Sequence, residues 1–304
     1  MKKKTILTAL AAAAIAVGAQ AQTRKVVPSG QAYTIGNVIS ASGDNVTYQW
    51  FRDGVAISGA TGESYTVPAN LAKHENGLET RYTSGAKFQR AAYGIDCLGG
   101  AAMSNMIIIS FCDLIVNGVC WARANADGSI VSNPWDLGNF YQWNRPNVGY
   151  STTSPVEGVP VGSWNTTSDL TATWTNGFPC PAGWRIPAMQ ELQNLYTMSQ
   201  PAGGVWVEGG ARGIPVGVNG KIFGYNTTYC TMSSMSGCVF LPAAGYRANN
   251  NGALSNPAVQ GRYWTSSWSG TTSGYYLNFS NQNIMISTSN LYFGLSIRCV
   301  QDVQ

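Results

Sequence analysis

Histidine is almost absent from this chain: one residue, His74, in 304. Acids and bases are scarce too, with Asp, Glu, Lys and Arg making up 11% of the sequence. Metal sites and acid–base or nucleophilic active sites draw on those side chains, so the sequence leaves few places for them. His74 stands in the polar run AKHENG with no cysteine or carboxylate cluster beside it, and reads as a solvated loop residue. A G-x-S-x-G elbow is missing, since SSMSG and GTTSG fail its spacing. GIPVGVNGKI fails as a phosphate loop: Pro215 occupies the first required glycine, and Ile222 follows Lys221 where Ser or Thr is needed. EF-hand loops and the Glu-Pro-Asn or Gln-Pro-Asp triplets of calcium-dependent sugar binding are absent, and SWNTT at Trp164 is only a partial echo of their Trp-Asn-Asp partner. The expectation is a protein that is not an enzyme and uses no metal or cofactor.

The start of the chain reads Met1-Lys2-Lys3-Lys4, an apolar stretch from Thr5 to about Gly18, then Ala19-Gln20-Ala21. That order predicts a secretory signal peptide over residues 1–21, cleaved after Ala21. Its Ala-rich core falls short of the roughly 20 apolar residues that span a bilayer, and no later run comes close, so no transmembrane segment is expected. The residue immediately after the predicted cleavage point is Gln22 and not a cysteine, which argues against a lipid anchor. Removing this segment lowers the formal charge from +4 to +1, because three of the 18 Lys and Arg precede the cut and no acid does. A near-neutral chain without a cationic stripe argues against nucleic-acid binding.

The seven cysteines of an exported chain point to disulfides before metal sites. Cys230 and Cys238 are predicted to close the turn-rich interval CTMSSMSGC. A Cys180–Cys299 bond is predicted because closing a long loop constrains the unfolded chain most. The pairing of Cys97, Cys112 and Cys120 stays open, and the odd count leaves at least one cysteine unpaired in a monomer.

Residues 22–112 alternate short strands with turn residues, as a β-sandwich does. Trp50 lies mid-strand in VTYQWFRDG, just before an Asp53-Gly54 hairpin signal. This stretch resembles an immunoglobulin-like domain of bacterial surface proteins, in which that Trp packs in the core and Tyr82 would be the corner tyrosine. No cysteine precedes Cys97, so the inter-sheet disulfide of that family has no counterpart here. The domain reads as a stalk, or alternatively as a binding domain in its own right. Residues 113–304 read as an α+β unit with one amphipathic helix: Met189, Leu192, Leu195 and Tyr196 recur at helical spacing, and Pro187 suits the first turn.

Within that second region the ordered series VCWARAN, YQW, CPAGWRIP, LPAAGYR, YWTSS and LSIRCV resembles the Fibrobacter succinogenes major paralogous domain family, common in exported Bacteroidetes proteins. The resemblance implies a C-type-lectin-like fold whose terminal strands pair and whose irregular face binds ligand. The end of the chain is similar to the variable proteins diversified by retroelements. Its anchors would be Tyr263-Trp264-Thr265-Ser266-Ser267, Leu277-Asn278-Phe279 and Ser296-Ile297-Arg298-Cys299-Val300. Between such anchors, mutation at adenines of Asn-type codons yields Asn, Ser, Thr, Tyr, Ile, Phe, Gly and Asp; Trp268 and Met285 fall outside that codon route.

The residues point to binding without that resemblance. From Tyr263 to Gly294 there is no Asp, Glu, Lys, Arg or His, while Tyr, Trp, Ser, Thr and Asn abound. Rigid aromatics plus short polar side chains make an antibody-like contact surface; an ordinary Ser/Thr/Asn-rich strand and loop is the alternative. The candidate ligand-binding residues are Trp268, Ser269, Thr271, Thr272, Tyr275, Tyr276, Asn278, Asn281, Asn283, Met285, Ser287, Ser289, Asn290 and Tyr292. They are expected to be exposed and grouped on one side, above buried Leu277, Phe279, Leu295 and Ile297. Replacing Tyr275, Tyr276 or Trp268 by Ala is expected to cost binding on the order of 2 kcal/mol while leaving stability within about 0.5 kcal/mol. The function expected is that of an exported adhesin- or receptor-like binding protein whose ligand is a protein or glycan on another cell, phage or host surface. The alternatives are a fixed-ligand fimbrial or surface adhesin, and a secreted hydrolase, which would need convergent carboxylates or a nucleophile with its base.

Overall fold

The structure, a computed structural model, describes residues 22–28, 31–36, 47–68, 86–93, 101–126, 133–145, 150–151, 164, 174, 179–181, 183–270 and 272–303. The predicted signal segment, His74, Tyr82, Cys97 and Thr271 lie outside the described residues. The described residues are predominantly β-sheet with a single short helix, and none of their helices is long and apolar enough to cross a membrane. The chain divides into two compact units: residues 1–24, 36–65 and 87–108 form one, and residues 25–35, 66–86 and 109–304 the other.

In the first unit, β1 (Thr47–Arg52) and β2 (Val55–Ala56) form an antiparallel hairpin with Arg52 opposite Val55. The turn between them holds Asp53 at φ 49° and Gly54 at φ 83°. Both central positions are left-handed, which is the geometry that favours Asp-Gly in two-residue hairpins. Trp50 is fully buried, donates from its indole nitrogen to the Gly62 carbonyl at 2.9 Å, and lies 5.9 Å from the Tyr65 ring. On the other side of β1 runs β3 (Ala86–Tyr93), with Trp50 opposite Arg90, and β4 (Ala101–Met103) pairs with β3 in turn.

The second unit is organised around three three-stranded sheets. In the first, β5 (Leu114–Val116) and β6 (Val119–Trp121) form a hairpin, and β6 also pairs with the C-terminal β13 (Val300–Asp302). The second comprises β7 (Val205–Val207), β8 (Gly220–Gly224) and β9 (Cys238–Pro242). The third is a meander of β10 (Gln260–Ser269), β11 (Ser273–Ser280) and β12 (Ile284–Asn290).

The helix, α1 (Met189–Thr197), buries Leu192 and Leu195, the pair its apolar spacing predicts. They pack into one core with Tyr263, Leu277, Phe279, Phe223 and Val239; complete burial of each such side chain stabilises by roughly 1.5–3 kcal/mol. Pro187 lies outside the helix rather than in its first turn, because Ala188 is the N-cap. The Ala188 N–H is satisfied by Glu191 Oε2 at 2.7 Å. Arg185 grips that carboxylate through Nη1 at 2.8 Å and Nη2 at 2.7 Å, which fixes the capping geometry.

The disulfides Cys180–Cys299 and Cys230–Cys238 are present as predicted, and Cys112–Cys120 is a third. Around the first, Arg185 and Val300 exchange backbone hydrogen bonds of 2.8 Å each, so the segment entering α1 is stitched to the last strand twice over. The Cys180–Cys299 loop spans 119 residues, and the double variant C180S/C299S is expected to lose about 4 kcal/mol of unfolding free energy in a urea titration. An unchanged midpoint would mean that the bond does not restrict the unfolded chain.

Candidate binding face

The meander carries two differently populated faces, set by cross-strand register. Leu277 lies opposite Tyr263 on one side and Ile286 on the other, and Phe279 lies opposite Gly261 and Ile284. These side chains form the inner face, against α1. Gly261 is required there, because a Cβ would come within 2.1 Å of the Phe279 ring. One residue out of phase, Tyr276 lies opposite Trp264 and Ser287, and Asn278 lies opposite Arg262 and Met285. This second set is the outer face.

The YWTSS anchor is a structural device. Between the pairs Trp264/Tyr276 and Trp268/Gly274 the register slips, so Thr265, Ser266 and Ser267 share a single partner position, Tyr275. Such a bulge leaves strand groups unpaired, and the local side chains satisfy them. Buried Thr265 accepts the Ser267 N–H at 3.0 Å and donates to the Tyr275 carbonyl at 2.9 Å. The displaced segment then meets the start of the helix: Ser266 N–H donates to the Pro187 carbonyl at 2.7 Å, and Ser267 Oγ accepts the Met189 N–H at 2.9 Å. The bulge therefore holds α1 to the sheet.

Half of the outer face is covered. Trp143, fully buried, packs at 5.2 Å from Trp264, 5.0 Å from Trp174 and 6.0 Å from Trp268. It sits directly over Gly274, where a Cβ would come within 2.3 Å of its ring. Trp264 is anchored by donating to the Tyr141 carbonyl at 2.9 Å, and Tyr276 meets it edge-on at 6.1 Å. The other half of the face is open, and holds Gln260, Arg262, Asn278, Met285 and Ser287, with Met285 48% exposed.

The structure redistributes the sequence-predicted residues. Leu277, Phe279, Leu295 and Ile297 are buried, as alternation requires. Tyr276 is not exposed: at 6% it belongs to the core of Trp143, Trp264 and Leu291. Trp268 is half-buried against the same cluster. Nor do the candidates form one patch. Trp268, Tyr276, Asn278, Met285, Ser287 and Ser289 share the outer face, whereas Ser269, Tyr275 and Asn290 have the opposite parity. Thr272 lies in the turn before β11, and Asn281 and Asn283 in the turn after it, roughly 25 Å away for eight residues at about 3.4 Å each. Tyr292 follows β12 and is half-buried, with its carbonyl held by Gln142 Nε2 at 2.7 Å. The expected single surface thus contracts to Asn278, Met285 and Ser287 with the neighbouring end of β10.

Sequence reasoning passed over Arg262, the cation of this open half. Its guanidinium carbon lies 3.6 Å from the Tyr246 ring centroid and 5.5 Å from that of Tyr276, and its Nε donates to Gln260 Oε1 at 3.2 Å. The signal available was its position one residue before the YW anchor, where alternation with Trp264 assigns it to the outer face. Beneath the sheet, burial pushes the Tyr263 phenol up to about 12, the nearby Arg298 charge opposing that shift. Tyr263 therefore stays a neutral donor, bonded to the Pro242 carbonyl at 2.8 Å. Compared with known proteins, the chain matches no family model and no curated protein.

Two core substitutions and one surface substitution distinguish scaffold from face. Tyr276→Ala is expected to destabilise by about 3 kcal/mol as a buried aromatic truncation, and Gly274→Ala by about 1–3 kcal/mol through the clash with Trp143. Ser287→Ala is expected to stay within about 0.5 kcal/mol. Equilibrium denaturation of the three variants checks the ordering; a neutral Tyr276→Ala would remove Tyr276 from the core.

Proposed function

We propose that the chain is an exported, non-enzymatic ligand-binding protein of adhesin or receptor type. In this reading an immunoglobulin-like domain over residues 22–112 carries a C-type-lectin-like domain over residues 113–304, of the Fibrobacter succinogenes major paralogous kind. The open half of the outer face, around Asn278, Met285 and Ser287, captures the ligand, and Ser287 and Ser289, between the anchors, are among the positions a retroelement would diversify.

One observation carries the reading: most anchor residues form a buried framework, and alternate positions along the same strands face solvent. Tyr263, Trp264, Thr265, Leu277, Phe279, Ile297, Arg298 and Cys299 are all buried. Asn278, inside an anchor but out of phase with Leu277 and Phe279, and Met285, Ser287 and Ser289, between anchors, are half-exposed or exposed, whereas Tyr276 between the anchors is buried. A buried framework that fixes the backbone while alternate positions face solvent is what a surface needs if its contacts are to change without loss of the fold. Three disulfides agree with an oxidising, extracytoplasmic location.

Two measurements test it. Sequencing around the gene is expected to find a reverse transcriptase and a near-copy of the codons for Tyr263 to Gly294, differing at adenines; finding neither reduces the reading to a fixed-ligand adhesin. Fluorescently labelled chain is expected to bind intact bacterial or host cells saturably. The triple variant N278A/M285A/S287A is expected to lose at least about tenfold in that affinity, equivalent to 1.4 kcal/mol, with an unchanged melting temperature. Equal binding by the variant would overturn the assignment of the face.

A further inference from the structure

We infer that Arg262 is the anchor of this face, and that it receives an Asp or Glu carboxylate presented by a protein partner. The inference rests on the binding-face reading above and specifies the chemistry of what binds.

The guanidinium is held before any ligand arrives. The guanidinium carbon lies over the Tyr246 ring at 3.6 Å from its centroid, and the Tyr246 ring is itself braced by Phe293 at 5.8 Å. Its Nε is engaged by Gln260 Oε1 at 3.2 Å. Gln260 is fixed in turn, donating to Asn278 Oδ1 at 2.7 Å and accepting from Asn256 Nδ2 at 3.3 Å. Stacking and the Nε bond restrict the plane of the fork, so little side-chain freedom is left to lose on binding.

What remains is the outer edge of the fork. Among the described residues, neither Nη1 nor Nη2 of Arg262 has a protein acceptor and no carboxylate pairs with it, although the side chain is only half-exposed. Arg185, by contrast, is bonded by both Glu191 and Asp302, and Arg123 lies 2.8 Å from Asp113. A planar pair of N–H donors matches the two oxygens of a carboxylate, and such charge-assisted, bidentate bonds are about twice as strong as neutral ones. The run from Tyr263 to Gly294 contributes no acid to compete for the position.

The surroundings favour a protein over an acidic sugar. Met285, 48% exposed, lies opposite Asn278 on the same face, one strand beyond Arg262, and supplies an adaptable apolar contact on that surface. Arg, Met and Tyr together are the residues enriched at the centres of protein interfaces. A sugar ring packs best on a free aromatic face, and the Tyr246 ring already has the guanidinium on its face.

The test uses residues 22–304 immobilised as wild type, R262K, R262Q and M285A/S287A, with melting curves to confirm that each is folded. Short random peptides displayed on phage are selected on the wild type, and the selected peptides are titrated against all four proteins. The expected peptides carry an Asp or Glu whose replacement by Asn or Gln weakens binding at least about tenfold. R262Q is expected to give the same loss, the two changes together no more than either alone, and R262K an intermediate one. In a parallel arm, sialylated and uronate oligosaccharides are titrated beside neutral ones, and none is expected to bind in an Arg262-dependent way. Peptides that need Met285 and Ser287 yet ignore Arg262 would overturn the carboxylate anchor and leave the binding face standing. Peptides insensitive to every variant, or no enrichment over the blank surface, would count against both. Arg262-dependent binding of acidic sugars alone would overturn the protein source.

Discussion

The second unit depends on a buried cation. Arg298 is fully buried, and a charge in that position is tolerable only if each of its donors finds an acceptor inside the protein. Its Nε donates to Asn125 Oδ1 at 3.0 Å, Nη1 to the Ala122 carbonyl at 2.8 Å and Nη2 to the Phe240 carbonyl at 2.8 Å. Asn125 then passes the constraint on, donating to the Leu137 carbonyl at 2.9 Å and to the Tyr263 hydroxyl at 3.0 Å. Segments as far apart as 176 residues in sequence are tied at one point. None of them can shift without leaving a buried polar group unmatched, which costs far more than the bond contributes when it is made.

Every other feature of the sheet follows from that fixed point. Tyr263, whose hydroxyl accepts from Asn125 Nδ2 and donates to the Pro242 carbonyl, sets the position of β10. Phe279 stacks on Tyr263 at 5.9 Å and meets Phe223 edge-on at 6.1 Å, which seats the inner face on the core. The bulge at Thr265–Ser267 then docks α1, and Trp143 caps the upper outer face over Gly274. Only the lower outer face escapes these layers, so the candidate surface is where the packing stops.

Much of this was legible because it is local. The Asp53-Gly54 hairpin, the burial of Leu192 and Leu195 and the inward set Leu277 and Phe279 follow from turn chemistry and from periods of 3.6 and 2, which a single sequence displays. The Cys230–Cys238 bond spans a separation of 8 residues, and the turn residues between them made it readable. What was not legible is what covers a face. Alternation assigns Tyr276 and Asn278 to the same side, yet Trp143, far upstream, buries one and leaves the other open. Parity within a strand carries no information about a layer supplied from elsewhere in the chain. The slip at Thr265–Ser267 was equally hidden, since a bulge changes the count of residues without changing their apparent alternation.

Cross-strand parity also sets the charge of the outer face. By register the outer face comprises Gln260, Arg262, Trp264, Trp268, Gly274, Tyr276, Asn278, Ser280, Met285, Ser287 and Ser289. Arg262 is the one basic or acidic residue among them. Ser280, Ser287 and Ser289 can be exchanged among small polar residues without altering the charge of the face, because neutral amides and hydroxyls adjust their hydrogen bonds but carry no net charge. Shape and hydrogen bonding on this surface can therefore vary independently of its electrostatic preference. β11, the middle strand, has its backbone bonded on both sides, so the position of Asn278 relative to Arg262 does not depend on which side chain stands there.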